Sequence, residues 1–255
     1  MGRVSLECRC LLIEEDDGRK VLLETGIGAF FEPKLAERYG VEDSNRHVLL
    51  ENLSSFGVSS EDIDVVVLSH LHFDHAGGLL PTYDQIQKSG SRLVFPNAKF
   101  VVGSKALERS KNPHLRDRSS FVAEIARLLE DSGRLEIVNG KKSDALGSHY
   151  EFIYSSGHTP GQLHVLYRGG KTPVFFCGDL IPGTPWVHLP ITMGYDRYPE
   201  KLIDEKMELM NLAIEEDWLL FYTHDVKYAC SKLQKNEKGR FEPNAAIEAL
   251  LGFYL

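Results

Sequence analysis

No stretch of the chain approaches 18 consecutive apolar residues, so nothing in it reads as a membrane-spanning helix. The opening residues, Met1 to Cys8, also lack an apolar run of signal-peptide length, and the expected location is the cytoplasm. Cysteine is scarce. Cys8, Cys10, Cys177 and Cys230 include no Cys-x-x-Cys knuckle, and they read as small buried or half-buried thiols. No run of Lys or Arg is longer than two, and 37 Asp+Glu against 29 Lys+Arg leave a net charge of −8. That balance argues against a nucleic-acid partner, which calls for a basic face. Linkers, repeats and low-complexity segments are missing too. The chain therefore reads as one domain over residues 1–255, and its 42% hydrophobic content is enough for a large core.

What the chain does have is concentrated in His70-Leu71-His72-Phe73-Asp74-His75, followed by Ala76-Gly77-Gly78. Three of its ten histidines and one carboxylate fall within six residues. The preceding Val65-Val66-Val67-Leu68 is an apolar, β-branched run that predicts a buried strand. The cluster thus sits where a strand ends, and a two-residue period puts His70 and His72 on one side. Neutral imidazoles and a carboxylate suit zinc and similar borderline metals.

Upstream, Cys8–Glu14 and Lys20–Glu24 predict a strand pair around Asp17-Gly18, a hairpin signal. Glu24-Thr25-Gly26-Ile27-Gly28 predicts a tight turn, and residues 33–39 and 46–56 predict helices. After Gly78 the pattern loosens into an expected surface excursion over residues 80–90. Lys99–Val102 predicts a strand, residues 121–129 a helix, and residues 134–138 and 150–154 two more strands. Further on, His158 follows a strand in a Gly-Pro-Gly loop, Asp179 ends Val174-Phe175-Phe176-Cys177-Gly178, and His224 ends Trp218-Leu219-Leu220-Phe221-Tyr222-Thr223. Four strands therefore end in His or Asp. A helix is expected from Pro199 with an apolar stripe of Leu202, Ile203, Met207, Met210 and Ile214, and the tail from Pro243 to Leu255 is expected to be a closing helix followed by aromatic residues. Phe253-Tyr254-Leu255 is expected to pack in the core or at a homodimer contact.

This set, from Glu24-Thr25-Gly26 to Thr223-His224, resembles the metallo-β-lactamase-fold hydrolase superfamily, whose signature is His-x-His-x-Asp-His with later His, Asp and His. The resemblance implies an α+β, four-layer αββα sandwich. It also implies that His70, His72 and His158 hold one metal ion, that Asp74, His75 and His224 hold a second, and that Asp179 bridges the two. Zinc is the default, with iron, manganese or cobalt as alternatives for mixed His/carboxylate sites. The implied reaction is attack of a metal-bridging hydroxide on an ester-like bond in a small-molecule lactone, carboxylic ester or organophosphate, with Asp74 as proton shuttle and Asp179 deprotonated between the ions. Glu24 departs from the usual Asp of the Asp-Thr-Gly turn.

The segment from Leu180 to Asp196, running into the helix from Pro199, most resembles the branch of acyl-homoserine lactonases and methyl-parathion-type hydrolases. Trp186, His188, Met193 and Tyr195 are its candidate substrate residues, with apolar bodies and polar tips. Pro182 stands where lactonases of that branch tend to carry tyrosine, and Tyr195 is the candidate substitute. A glyoxalase-II-like thioester hydrolase and a metal-binding sensor without turnover are the alternatives. His47, His114, His149 and His164 are expected in surface or core roles.

Overall fold

The structure is a computed structural model in which residues 4–252 are described. The chain divides into two compact units: Cys10–Val138, and a second formed by the residues up to Arg9 together with Asn139 onward.

The first unit opens with an antiparallel pair, β1 (Leu11–Glu14) and β2 (Lys20–Leu23), in the register Leu11↔Leu23. Its turn relies on Gly18, whose φ of +85° lies in the region a side chain disfavours. Then come α1 (Pro33–Tyr39), α2 (Val48–Ser55), β3 (Val65–Leu68), α3 (Phe73–Ala76), α4 (Tyr83–Ser89), β4 (Lys99–Gly103), α5 (Ser104–Lys111), α6 (Ala123–Asp131) and β5 (Leu135–Val138). The sheet order is β1-β2-β3-β4-β5, parallel from β2 onward. Every residue of β3 is buried, as a parallel strand covered on both faces requires. Leu22, Val66, Phe100, Val102, Ile125 and Leu129 are among the core of this unit. Each such side chain contributes about 1.5–3 kcal/mol by leaving water.

Helices α3, α4 and α5 have no counterpart among the sequence expectations. The expected surface excursion contains α4, started by a reciprocal capping box between Thr82 and Gln85. Helix α5 has few apolar residues but buries Ala106 and Leu107. Their periodicity is short and weak; the Thr-x-x-Gln spacing was the available signal for α4.

The second unit contains β6 (Tyr150–Ser155), β7 (Gln162–Tyr167), β8 (Val174–Phe176), α7 (Pro199–Glu215), β9 (Leu219–Phe221), β10 (Cys230–Lys235) and β11 (Phe241–Ile247). Its sheet order is β11-β10-β9-β8-β7-β6, with β8 and β9 parallel and the other pairs antiparallel. Leu166, Phe175, Leu202, Met210, Trp218 and Leu220 belong to its core. Of the stripe expected on α7, Met207 is 43% exposed, and the buried face includes Leu209, Ala213 and Lys206 instead.

The expected closing helix is a correction. Residues 241–247 form the edge strand β11, turned back onto β10 through Asn236, whose Oδ1 accepts the Lys238 and Arg240 N–H groups. The alanines favour helix locally, but tertiary pairing overrides that preference. Pro243 is tolerated because β11 is an edge. The expectation for Phe253-Tyr254-Leu255 lies outside the described residues. Among the described residues no helix is long and apolar enough to cross a membrane.

One contact in the first unit positions the His70–His75 segment. The turn after β2 lies directly on α3: Thr25 N–H donates to the His75 carbonyl at 2.9 Å, and Gly78 N–H donates to Gly26 at 3.0 Å. A Cβ on Gly78 would lie 2.0 Å from the Thr25 oxygen, and one on Gly77 would lie 2.2 Å from the Ile27 oxygen. Backbone cannot yield as a flexible side chain can. Gly78→Ala is therefore expected to lower the free energy of unfolding by at least about 2 kcal/mol, read from urea denaturation. A loss below half of that would show that the two segments are free to separate.

Candidate metal centre

In the first unit β3 ends at Leu68, and the chain passes through Ser69, His70, Leu71 and His72 into α3. His70, His72 and His75 are buried, while the Asp74 side chain is 24% exposed. Nε2 of His70 lies 3.0 Å from Nδ1 of His72, so two ring nitrogens converge on one point. The outer nitrogen of His70 is fixed by the Ser69 hydroxyl at 2.8 Å. His75 Nδ1 faces Glu24 Oε2 at 2.9 Å, which leaves its Nε2 toward Asp74 Oδ2 at 3.7 Å. The second Glu24 oxygen accepts the Ser69 N–H at 2.7 Å. Glu24 thus binds both the histidine helix and the end of β3, with its backbone at φ +67°. The longer side chain in place of the usual Asp reaches His75 directly. Phe121 lies against the His72 ring, with centroids 4.7 Å apart.

In the second unit three strand ends deliver His158, Asp179 and His224, all buried. His158 Nε2 stands 3.3 Å from one Asp179 oxygen, and His224 Nε2 stands 3.0 Å from the other. The outer nitrogen of His158 meets Asp196 Oδ1 at 2.8 Å, and that of His224 meets the Glu7 carbonyl. Carboxylates or carbonyls on the outer nitrogen of an imidazole set its tautomer and raise its basicity toward a metal. This is the pattern a metal-binding histidine needs, and the donor set of imidazoles plus carboxylate suits zinc-like ions. All seven residues offer donor atoms able to hold a metal ion.

Asp196, Ser69 and Glu7 were missed as site residues. Asp196 could have been found as the lone acid closing an apolar loop. Glu7 contributes only a carbonyl, which any residue offers, so it leaves no mark in the sequence.

Of the substrate candidates, Trp186 is half-buried against the core and its indole N–H meets Met193 Sδ at 2.8 Å. Tyr195 is 47% exposed, with its ring edge-on to His158 at 5.9 Å between centroids. The His188 side chain is exposed, and its carbonyl accepts from Lys206. Pro182 uses its carbonyl to accept the His224 N–H at 2.8 Å. Of the remaining histidines, His114 and His149 are exposed, and His47 is buried against the Gly78 carbonyl at 3.0 Å.

A family model for the metallo-beta-lactamase superfamily matches residues 5–224, running through both units. The chain belongs to the metallo-beta-lactamase superfamily. It has the metallo-beta-lactamase fold, an α+β arrangement of two mixed sheets plus helices. A metallo-beta-lactamase fold-containing protein of Sulfurisphaera tokodaii is 29% identical over 56% of this chain and 55% of its own length. An N-acyl homoserine lactonase of a Bacillus species is 23% identical over 86% of this chain and 81% of its own. The relatives matched at 28–29% identity are longer proteins, of which the chain spans 55–57%. Among solved structures, a probable metal-dependent hydrolase from Staphylococcus aureus superposes with a TM-score of 0.81 at 22% identity, covering 96% of this chain and 84% of that one. A dizinc quorum-quenching lactonase in complex with a product gives 0.75 at 21% identity, covering 96% and 81%.

His164, on β7, is fully buried, and its Nε2 meets the Ser155 hydroxyl at 2.8 Å. Desolvation pushes its imidazole down to about 4 from 6.5, so the ring is neutral in the fold. The unfolded chain binds that proton first as pH falls, and stability is lost between pH 6.5 and about 4. The wild-type advantage in unfolding free energy over His164→Gln is expected to shrink by about 3 kcal/mol between pH 7 and 4. A constant difference would mean that the ring is not held neutral.

Proposed function

We propose that this superfamily member is a hydrolase that works with two divalent ions, zinc by default, on an ester-like bond of a small molecule: a lactone, a carboxylic ester or an organophosphate. The observation that carries the reading is Asp179, each of whose oxygens faces the Nε2 of a different buried histidine. A carboxylate so placed is suited to lie between two ions. In this reading His70, His72 and His158 hold one ion, Asp74, His75 and His224 the other, and Asp179 both. Glu24 and Asp196 add charge on the outer nitrogens of one histidine from each set. When bound, the ions polarise the carbonyl or phosphoryl oxygen and lower the pKa of a water toward neutrality.

The chain itself supplies positioning and proton transfer. In this reading Asp74, whose side chain is partly exposed, accepts the proton of the attacking water and passes it to the leaving oxygen. Tyr195 presents an exposed ring beside His158, where a substrate would meet it. The lactonase among the relatives and the dizinc lactonase among the structural neighbours support this substrate class and this metal.

The test is purified protein with its metals quantified, assayed on lactones, aryl esters, thioesters, phosphotriesters and phosphodiesters. We expect about two ions per chain and turnover of a lactone, ester or phosphotriester. Asp179→Asn is expected to lose bound metal and at least about 100-fold in rate. Glu24→Gln is expected to weaken metal binding by about 10- to 100-fold. Two ions bound with no turnover on any member of the panel would leave a metal-binding module, not an enzyme.

A further inference from the structure

Helix α7 carries, at adjacent positions, a carboxylate and an ammonium that hold two different loops. The Glu205 carboxylate accepts the Ser156 N–H at 2.9 Å and the Gly157 N–H at 2.8 Å, one on each oxygen. These are the amides just before His158. The Lys206 ammonium donates to the carbonyls of His188, Leu189 and Ile191 at 3.3, 3.2 and 2.9 Å. Each charge therefore meets the backbone dipole ends of opposite sign.

The two loops are then tied to each other. Arg197 N–H donates to the His158 carbonyl at 3.1 Å, and Tyr198 N–H to the Gly157 carbonyl at 2.8 Å. Asp196 N–H donates to the Met193 carbonyl at 3.0 Å, and the Asp196 carboxylate both accepts the Met193 N–H and meets His158 Nδ1. Gly157 sits so close to α7 that a Cβ there would lie 2.4 Å from Leu202 Cα.

Lys206 is fully buried although it carries a charge, and desolvation pushes its ammonium down to about 8. The acidic group that opposes this shift is Asp196. Core packing alone would be served by methionine, because replacing a buried charge with an apolar group of similar volume is often neutral or stabilising. Breaking a hydrogen-bonded backbone turn is not.

We propose that Glu205 and Lys206 are a pair of positioning residues: together they clamp the 156–158 and 188–191 backbones so that Asp196 holds the His158 ring in the orientation that receives metal. The metal half of this statement rests on the two-ion reading above; the clamp itself does not.

The experiment uses the full chain in three forms: wild type, Lys206→Met and Glu205→Gln. Hydrogen exchange on metal-free protein reads the loops, and zinc titration against a competing chelator reads the ligand. Lys206→Met strips three carbonyls of their donor and is expected to lower the melting temperature, while residues 188–197 exchange on the order of 10-fold faster. The weaker of its zinc affinities is expected to fall by about 10- to 100-fold. Glu205→Gln is expected to speed exchange at 156–158 and to weaken zinc in the same range. Should Lys206→Met fail to fold, Glu205→Gln carries the test alone, since that side chain is 19% exposed. Wild-type exchange in both loops of both variants overturns the clamp. Faster exchange with unchanged zinc affinities overturns its link to His158. Wild-type protein that binds no zinc instead sinks the two-ion reading, while the exchange data still decide the clamp.

Discussion

An imidazole can offer either of its two nitrogens, and a partner on one of them fixes which is left for a ligand. That constraint organises both units of this chain. Ser69 meets the outer nitrogen of His70, Glu24 that of His75, Asp196 that of His158 and the Glu7 carbonyl that of His224. Each partner comes from a different kind of element: the strand end itself, a turn, a long loop and the N-terminal segment. The folding of those pieces is therefore part of the chemistry. Buried polar rings left without partners would each cost of the order of 1–3 kcal/mol, so these contacts also help the fold tolerate such a site.

The partners can reach because the backbone comes unusually close at a few points. Gly77 and Gly78 let the turn carrying Glu24 lie on α3, and Gly157 lets the His158 loop lie on α7. In each place a methyl group would collide with main-chain atoms. Within the glycine-rich turn itself a Cβ on Gly28 would lie 2.5 Å from the Gly77 oxygen, so that turn serves packing near the candidate ligands, in agreement with its reading as a tight turn.

The seven candidate ligands were legible in the sequence because each follows an apolar strand, and such strands are strong signals over a few residues. Val65–Leu68, Val174–Phe176 and Leu219–Phe221 are buried throughout, as their composition requires. The residues that orient the ligands were less legible. Glu24 was recognised through its turn, whereas Asp196 acts across 38 positions of sequence on His158. Glu7 acts through a carbonyl that every residue has. Secondary structure failed where local preference and tertiary pairing disagreed. The alanine-rich tail favours helix, yet it pairs as β11 because β10 offers an open edge. Helix α4 was hidden for the opposite reason, since its start depends on a two-residue capping exchange rather than on an apolar stripe.

The candidate ligands and the loop from Leu180 to Asp196 are held in place in different ways. The candidate ligands follow strands held by backbone ladders, Val65–Leu68, Val174–Phe176 and Leu219–Phe221 among them. The loop from Leu180 to Asp196 has no such ladder. It is held instead by side chains: Asp225 accepts from the Thr184 amide and hydroxyl, Trp186 meets Met193, and Lys206 gathers three carbonyls. A segment fixed by a few side-chain ties can change its path when one tie changes, while the strands beside it stay put. A substitution at Trp186 or Met193 removes one such tie and leaves the strands beside it in place. Asp196 is the point where the two systems meet, because it both closes that loop and holds His158. A change there would disturb both, loosening the turn at Met193 and releasing the outer nitrogen of His158.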